Sequence, residues 1–172
     1  MSKVLHVTAE GIKKKFKISP IEFGIVIDHI PAGEVDRVVK TLELTLKDKV
    51  MIGKNFDSLK TGIKDILKVE GYSIKRLTQE IQDKIAVICR NGEYPTKIHI
   101  IEKGNKIKRI ELELPDVIIN ALRCFNPKCI TIMEPHTVLQ KKFYVLRKNP
   151  LLVKCHYCER KMREQEITLL EE

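Results

Sequence analysis

The C-terminal third of the chain is organised around the stretch Cys124-Phe125-Asn126-Pro127-Lys128-Cys129 and a second stretch, Cys155-His156-Tyr157-Cys158. Four residues separate the first two cysteines, two separate the second two, and 25 lie between the pairs. Zinc binds four thiolates at the corners of a tetrahedron, and each short motif supplies one edge. Asn and Pro inside the first motif are typical of the tight turn that such an edge requires. The spacing predicts one structural Zn²⁺ per chain.

Disulfides and simply buried thiols are the alternatives for these four cysteines. No secretory signal is recognisable at the start of the sequence, so we expect a cytoplasmic, reducing location in which disulfides are rare. His156 is a conceivable fifth donor, but four thiolates already complete the coordination of zinc. Cys89 lies in a helical pattern far from the motifs and is expected to be an ordinary core residue. With no open coordination position, the metal is predicted to stabilise the fold and not to catalyse.

The amino-acid composition limits the classes of function that the chain can have. The chain has 172 residues, 43% of them hydrophobic, and a formal net charge of +9. No apolar run approaches the length of a membrane span. The positive excess is spread over the chain and mixed with acidic residues, and aromatic residues make up only 5%. A concentrated nucleic-acid surface with stacking platforms is therefore disfavoured.

The first part of the chain alternates between strand and helix patterns. Thr78 is a plausible N-cap for the second helix, which is predicted to end near Asn91-Gly92. Gly53 is expected to mark a bulge, Asp57-Ser58 reads as a turn, and Lys103-Gly104-Asn105-Lys106 reads as a hairpin turn. The predicted strands are Ile25–Ile30, Lys49–Phe56, Ile63–Glu70, Lys97–Glu102 and Ile107–Leu114, with helices over 32–42 and after Thr78.

This order predicts an α+β chain: a ferredoxin-like sheet domain with its helices on one face, followed by a small all-β zinc domain. Pro115-Asp116 breaks the pattern, so the domains are predicted to be 1–114 and 115–172. The basic segment Met1–Lys17 is predicted to be an edge strand or loose arm, with a binding arm as the alternative. In the second domain the predicted strands are Ile130–Met133, Lys142–Arg147, Leu152–Lys154 and Ile167–Leu170.

Three blocks together resemble the regulatory chain of aspartate carbamoyltransferase. The first is Gly24-Ile25-Val26-Ile27-Asp28-His29-Ile30. The second begins at Ile52-Gly53-Lys54-Asn55 and continues through 62–70, and the third is the cysteine module with its flanking residues. The resemblance runs from about Ile18 to Ile167 in the family's order.

The resemblance implies a non-enzymatic subunit with a nucleotide-binding allosteric domain and a zinc domain that docks on the catalytic chain. A regulatory-chain homodimer would then link catalytic trimers in pyrimidine biosynthesis. Family positions that contact the nucleotide effector fall on Asp28, His29, Lys64, Lys68 and Arg109. Lysines neutralise phosphates, and a carboxylate accepts hydrogen bonds from ribose hydroxyls. The alternative is that Asp28 and His29 cap the following helix or pair with each other, and that Lys64 and Lys68 are solvated strand lysines.

The sequence also departs from the family pattern. Ile25 replaces a threonine, Glu22-Phe23 replace a basic position, and His99-Ile100-Ile101-Glu102-Lys103-Gly104 lacks an asparagine and a tyrosine that contribute to base recognition. Base discrimination is weakened more than phosphate attraction, so the effector is left open. The competing hypothesis is a free-standing zinc-ribbon protein that binds nucleic acid and keeps a vestigial effector site.

Overall fold

The fold was established from a computed structural model, which describes residues 19–58, 62–91, 94–134 and 139–170. The predicted arm Met1–Lys17 lies outside the described residues, as do Gly92 and Pro135. Within the described part, no helix is both long and apolar enough to cross a membrane.

The first domain is a five-stranded antiparallel sheet with two helices. Its strands lie in the order β2-β3-β1-β4-β5, so the first strand sits in the centre. This is the predicted ferredoxin-like order with one added hairpin strand. The elements are β1 (Phe23–Pro31), α1 (Val35–Thr41), β2 (Lys49–Ser58), β3 (Gly62–Glu70), α2 (Gln79–Ile88), β4 (Lys97–Glu102) and β5 (Asn105–Glu111), with a 3₁₀ turn at Ile74–Arg76.

Alternation along the strands places the core on one face of this sheet. Ile25 and Ile27 of β1, Leu67 of β3 and Ile98 of β4 are fully buried beneath the helices. Their neighbours in sequence therefore point to the opposite, open face, because successive side chains alternate across a strand. Gly24 lies at the start of this alternation. A side chain would not fit there, because an added Cβ would lie 2.0 Å from the Val69 carbonyl oxygen.

Local signals account for most element ends in this domain. The Thr78 hydroxyl accepts a hydrogen bond from the Ile81 N–H at 3.3 Å, which confirms the predicted N-cap. Lys103 and Gly104 both have positive φ, as a two-residue hairpin turn requires. A register shift follows Gly53, as expected for a bulge. The predicted turn at Asp57-Ser58 is wrong, because both residues pair with β3 at the end of β2.

The second domain packs short strands around the cysteines. A four-stranded sheet in the order β10-β9-β8-β6 lies beside a two-stranded one formed by β11 and β7. The predicted strand at Ile130–Met133 is wrong: the segment forms one helical turn, α3. The elements are β6 (Val117–Ile119), β7 (Leu122–Arg123), α3 (Ile130–Met133), β8 (Lys142–Arg147), β9 (Leu152–Cys155), β10 (Lys161–Arg163) and β11 (Thr168–Leu169), with a 3₁₀ turn at Glu164–Glu166.

Candidate metal centre and cationic sheet face

Two loops bring the four motif cysteines to one point. Cys124 follows β7 and Cys129 opens α3, while Cys155 ends β9 and Cys158 lies in the next turn. Their four Sγ atoms all lie within 4.8 Å of one another. The Cys124–Cys158 and Cys129–Cys155 sulfur pairs are 3.6 and 3.8 Å apart. A tetrahedron with Zn–S bonds of about 2.3 Å has edges of about 3.8 Å, so the four thiolates fit Zn²⁺.

Backbone hydrogen bonds shape each cysteine turn. In the first turn the Cys129 N–H donates to the Asn126 carbonyl oxygen at 3.0 Å, and the Asn126 side chain accepts from the Lys128 N–H. In the second, the Glu159 N–H donates to the Cys155 carbonyl oxygen, and Glu159 takes a positive φ of 56°. These bonds give each turn the shape that directs its two thiols towards the same point.

The surroundings of the sulfurs affect their ionisation. Burial raises the pKa of the Cys124 and Cys155 thiols. For Cys158, burial also acts upward, but hydrogen bonds from the Arg160 backbone N–H and the Asn126 side chain prevail and lower its pKa to about 7. The buried Thr131 hydroxyl lies 3.2 Å from the Cys129 sulfur and can donate to its thiolate. Metal uptake must therefore displace protons from at least two buried thiols, so affinity rises with pH.

The other two candidates in the sequence lie away from this cluster. The His156 Nδ1 atom is 3.0 Å from the Tyr144 hydroxyl, and the ring is exposed. Cys89 is buried in the core of the first domain, where burial raises its pKa to about 12. It is the core residue that the sequence predicts.

A second cluster occupies the end of β1 in the first domain. The Lys64 ammonium donates to Asp28 Oδ1 at 2.6 Å, and the His29 N–H donates to the same oxygen at 2.8 Å. His29 has a positive φ of 62° at a break in the β1–β3 register, and its ring Nδ1 lies 3.3 Å from Asp28 Oδ2. Burial alone would raise the pKa of Asp28, but these donors hold it below its usual value. Asp28 is therefore an ionised acceptor.

The buried carboxylate of Asp65 fixes the backbone next to the Asp28 cluster. Its two carboxylate oxygens accept hydrogen bonds at 2.9 Å from the backbone N–H groups of Gly33 and Asn55. Gly33 precedes α1 and Asn55 lies in the bulge of β2, so one carboxylate ties three elements together. Lys64, the adjacent residue, is thereby presented beside Asp28.

The remaining predicted nucleotide residues lie on a row across the open face of the sheet. The register pairs Lys68 with Val26, Val26 with His99, and His99 with Arg109. Paired residues in antiparallel strands point to the same face, and strands are spaced about 4.8 Å apart. Three spacings place the backbones of Lys68 and Arg109 about 14 Å apart.

We call the set formed by this row, the β1 cluster and the neighbouring Lys97 and Lys106 the cationic sheet face. Burial and then repulsion from Lys106 lower the pKa of Lys68, which donates to the Ser19 carbonyl oxygen at 2.8 Å. The Arg109 side chain is 60% exposed and pairs with Glu111. The cationic sheet face comprises Val26, Asp28, His29, Lys64, Lys68, Lys97, His99, Lys106 and Arg109.

His99 lies at the middle of the cationic sheet face. Its Nδ1 atom is buried and has no hydrogen-bond partner in the part of the chain that the structure describes. Burial and then the charges of Lys106 and Arg109 keep the pKa of His99 low, although Asp28 acts in the opposite direction. From the sequence, His99 was apparent only as a departure from the family pattern. The strand register was needed to place it between the two cationic ends.

The fold and the two sites define a class: a two-domain binding protein whose second domain is held by a closed metal site. The family model described as "aspartate carbamoyltransferase regulatory chain, allosteric domain" matches residues 16–113, and "aspartate carbamoyltransferase regulatory chain, metal binding domain" matches 116–168. The chain belongs to the aspartate carbamoyltransferase regulatory chain family.

Individual relatives agree with both family models. The aspartate carbamoyltransferase regulatory chains of Pyrococcus abyssi and Pyrococcus furiosus are 43% and 45% identical over 156 residues, which is 89% of this chain and 96% of each relative. That of Methanocaldococcus jannaschii is 39% identical over 151 residues, 88% of this chain and 95% of the relative. The similarity therefore spans both domains.

Proposed function

We propose that this chain is the non-catalytic regulatory subunit of aspartate carbamoyltransferase. It binds a nucleotide effector on the cationic sheet face and links catalytic trimers through its zinc domain, in the pathway that makes pyrimidines. The observation that carries the proposal is the continuous match to both family domains, which favours this function over a free-standing zinc ribbon that binds nucleic acid. Carbamoyl transfer to aspartate belongs to the partner, the catalytic chain.

Charges on the cationic sheet face suit the parts of a nucleotide. Lys68 and Arg109 are cations at the two ends of the row, and Lys64 has two N–H donors left after its bond to Asp28. These groups neutralise phosphates, while the Asp28 carboxylate accepts hydrogen bonds from the ribose hydroxyls. His29 contributes at the strand end, and His99, with its unpaired nitrogen, faces the base or the phosphates.

Zinc bound by Cys124, Cys129, Cys155 and Cys158 gives the docking surface its shape. Phe143 is fully buried in the second core, whereas Met133 is 67% exposed and Ile130 and Leu139 are also exposed. Apolar side chains left outside a small core are typical of a partner interface. Met133 and Ile130 lie on α3, which begins at a ligand, so metal binding and docking are coupled.

The proposed homodimer uses the free edge of β2. This strand is paired only with β3 among the described residues, and its Val50 and Ile52 are exposed. The opposite edge, β5, carries three basic residues among its seven, Lys106, Lys108 and Arg109, which discourages edge-to-edge pairing. The reduced thiols that the metal site requires fit the cytoplasmic location expected from the sequence.

Calorimetric titration of the full chain with several nucleoside triphosphates tests the effector site. Loss of one charge-assisted contact in Lys68→Gln is expected to weaken binding by about tenfold or more. Lys75→Gln is the matched control, because Lys75 is exposed on the 3₁₀ turn, outside the cationic sheet face. Equal nucleotide affinity in the two variants would show that the cationic sheet face is not the effector site.

Co-purification with an aspartate carbamoyltransferase catalytic chain tests the assembly role. The zinc-loaded chain is expected to form a complex that is lost after chelation and regained when zinc is restored. Cys89→Ala is the control, since that thiol is remote from the metal. An intact complex after complete metal removal would contradict zinc-dependent docking.

A further inference from the structure

A broad groove runs along the junction of the two domains. Its lining residues belong to neither site above, although Arg123 directly precedes the ligand Cys124. One wall is formed by α1 and the turn that follows it, together with Lys84 of α2. The other wall is formed by Arg123 of β7 and the segment Ile167–Leu170 around β11. Its volume of about 950 Å³ lies within the range typical of small-molecule sites. We call it the junction groove.

Basic residues outnumber acidic ones along this groove. Among the residues that the structure describes, four basic side chains and one acidic side chain line it: Arg37, Lys40, Lys84, Arg123 and Glu43. Arg37 pairs with Glu34 at 2.8 Å and Lys84 with Glu80 at 3.0 Å. Lys40 and Arg123 are exposed, and neither has an ion pair within the described ranges. Two uncompensated cations on facing walls therefore attract an anion into the groove.

The segment Ile167–Leu170 makes the second wall of the groove largely apolar. Leu169 packs against the cores of both domains, and Ile167 and Leu170 are half-buried beside it. Aromatic side chains are lacking among the described lining residues, so bases of a single-stranded nucleic acid would find no stacking platform. Among the described lining residues, cations on both walls, apolar side chains on one of them and the single carboxylate of Glu43 suit a compact organic anion that also carries hydroxyl groups.

We propose that the junction groove is a second ligand site, specific for a small phosphorylated metabolite such as a sugar phosphate. Arg123 and Lys40 bind the phosphate from opposite walls, since guanidinium and ammonium groups are the usual phosphate donors. Glu43 accepts from ligand hydroxyls, and Leu169 and Leu170 contact its carbon skeleton. Because its walls come from different domains, a bound ligand would bias how the domains pack, and the groove would carry a second regulatory signal.

Ribose 5-phosphate is the probe, titrated by calorimetry into the full chain carrying Lys64→Gln and Lys68→Gln. These two substitutions weaken the proposed effector site. Ribose 5-phosphate binding in this chain therefore tests the junction groove whether or not the effector site binds a nucleotide. We expect binding to persist there and to weaken by about tenfold or more when Lys40→Gln and Arg123→Gln are added. Methyl resonances of Leu169 and Leu170 are expected to shift on binding.

Lys161→Gln is the matched control, an exposed lysine on β10 that does not line the groove. Lys40→Arg, which keeps the charge, is expected to retain binding. The proposal is overturned if the background chain does not bind ribose 5-phosphate, or if the Leu169 and Leu170 methyl resonances do not move. An equal loss of affinity in Lys161→Gln and in the groove variant also overturns it, since that indicates non-specific attraction.

Discussion

The two domains stabilise their folds by different means. In the first, Ile25, Leu67 and Ile98 of a wide sheet are covered by two helices, and the core consists of ordinary apolar side chains. In the second, Cys124, Cys129 and Cys155 are themselves members of the buried core. A small domain that buries its own ligands depends on the metal for its folding free energy. The first domain does not share that dependence.

Helix α2 joins these two cores. Ile81 and Ile85 pack into the first core, while Val87, 1% exposed, packs into the second. On the same helix, burial raises the pKa of Asp83, while the Gln79 side chain and the backbone N–H of Ile119 in β6 act to lower it. The domain boundary after residue 114 remains a prediction from the sequence. The packing crosses that boundary, because Val87 precedes it in the chain and belongs to the second core. A signal from the sheet domain therefore has a rigid element through which to reach the metal domain.

Removing a metal ligand should have the largest effect and should separate the two domains. In Cys129→Ala the second domain is expected to lose zinc and unfold, because apparent zinc-binding energies of about 10–16 kcal/mol are available only to the folded site. Hydrogen exchange would show loss of protection in β8 and β9 with β1 and β4 still protected. Cys89→Ala should retain zinc. Concerted unfolding of both domains would contradict the independence of the first core.

Val87→Ala tests whether α2 couples the domains. Deleting two buried carbon atoms from a close-packed site costs about 2 kcal/mol, and the loss should appear in the unfolding of both domains because α2 belongs to both. Val38→Ala on α1 is the matched control, since Val38 is fully buried in the first core alone. We expect its effect to be confined to the first domain in urea unfolding followed domain by domain.

The polar contact between the domains should respond to acid. Glu164 accepts hydrogen bonds from the Asn91 amide at 2.9 Å and the Arg90 guanidinium at 2.8 Å, and these two donors lower its pKa. A lowered carboxylate pKa adds stability that is present at neutral pH and is lost as the pH falls below about 4.3. Glu164→Gln should melt below wild type at pH 7, and the difference should shrink towards pH 3.

Glu22, which is exposed and has no ion pair among the residues that the structure describes, supplies the control for that experiment. Glu22→Gln is expected to follow wild type across the same pH range. A constant gap between Glu164→Gln and wild type from pH 7 to pH 3 would show that ionisation of Glu164 does not stabilise the domain junction.

The smallest effect should be confined to the first domain. Since the pKa of His99 is lowered in the folded chain, the unfolded chain binds more protons below about pH 6.5, and stability falls as the pH drops through that value. His99→Gln should lose this part of the pH dependence, measured as the melting temperature of the first domain between pH 8 and pH 5. An unchanged pH profile would show that His99 does not titrate in this window.

The error at Ile130–Met133 shows where pattern reading fails. A run of β-branched and apolar residues predicts a strand, yet the Cys129 carbonyl accepts from the Ile132 and Met133 N–H groups and starts a helical turn. The position of Cys129 in the thiolate cluster outweighs the intrinsic preference of four residues. His99 was missed for a related reason, since its surroundings come from strands distant in sequence.

The amino-acid order alone was enough to predict the cysteine tetrad, the strand–helix order of the first domain and the N-cap at Thr78, because each depends on spacing within a few residues. The tertiary structure alone decided that Lys68, His99 and Arg109 share one row, that Val87 belongs to the second core, and that a groove opens between the domains. Those features depend on strand register and on how separately formed elements pack. Both are set by contacts between residues far apart in the chain, for which local periodicity carries no information.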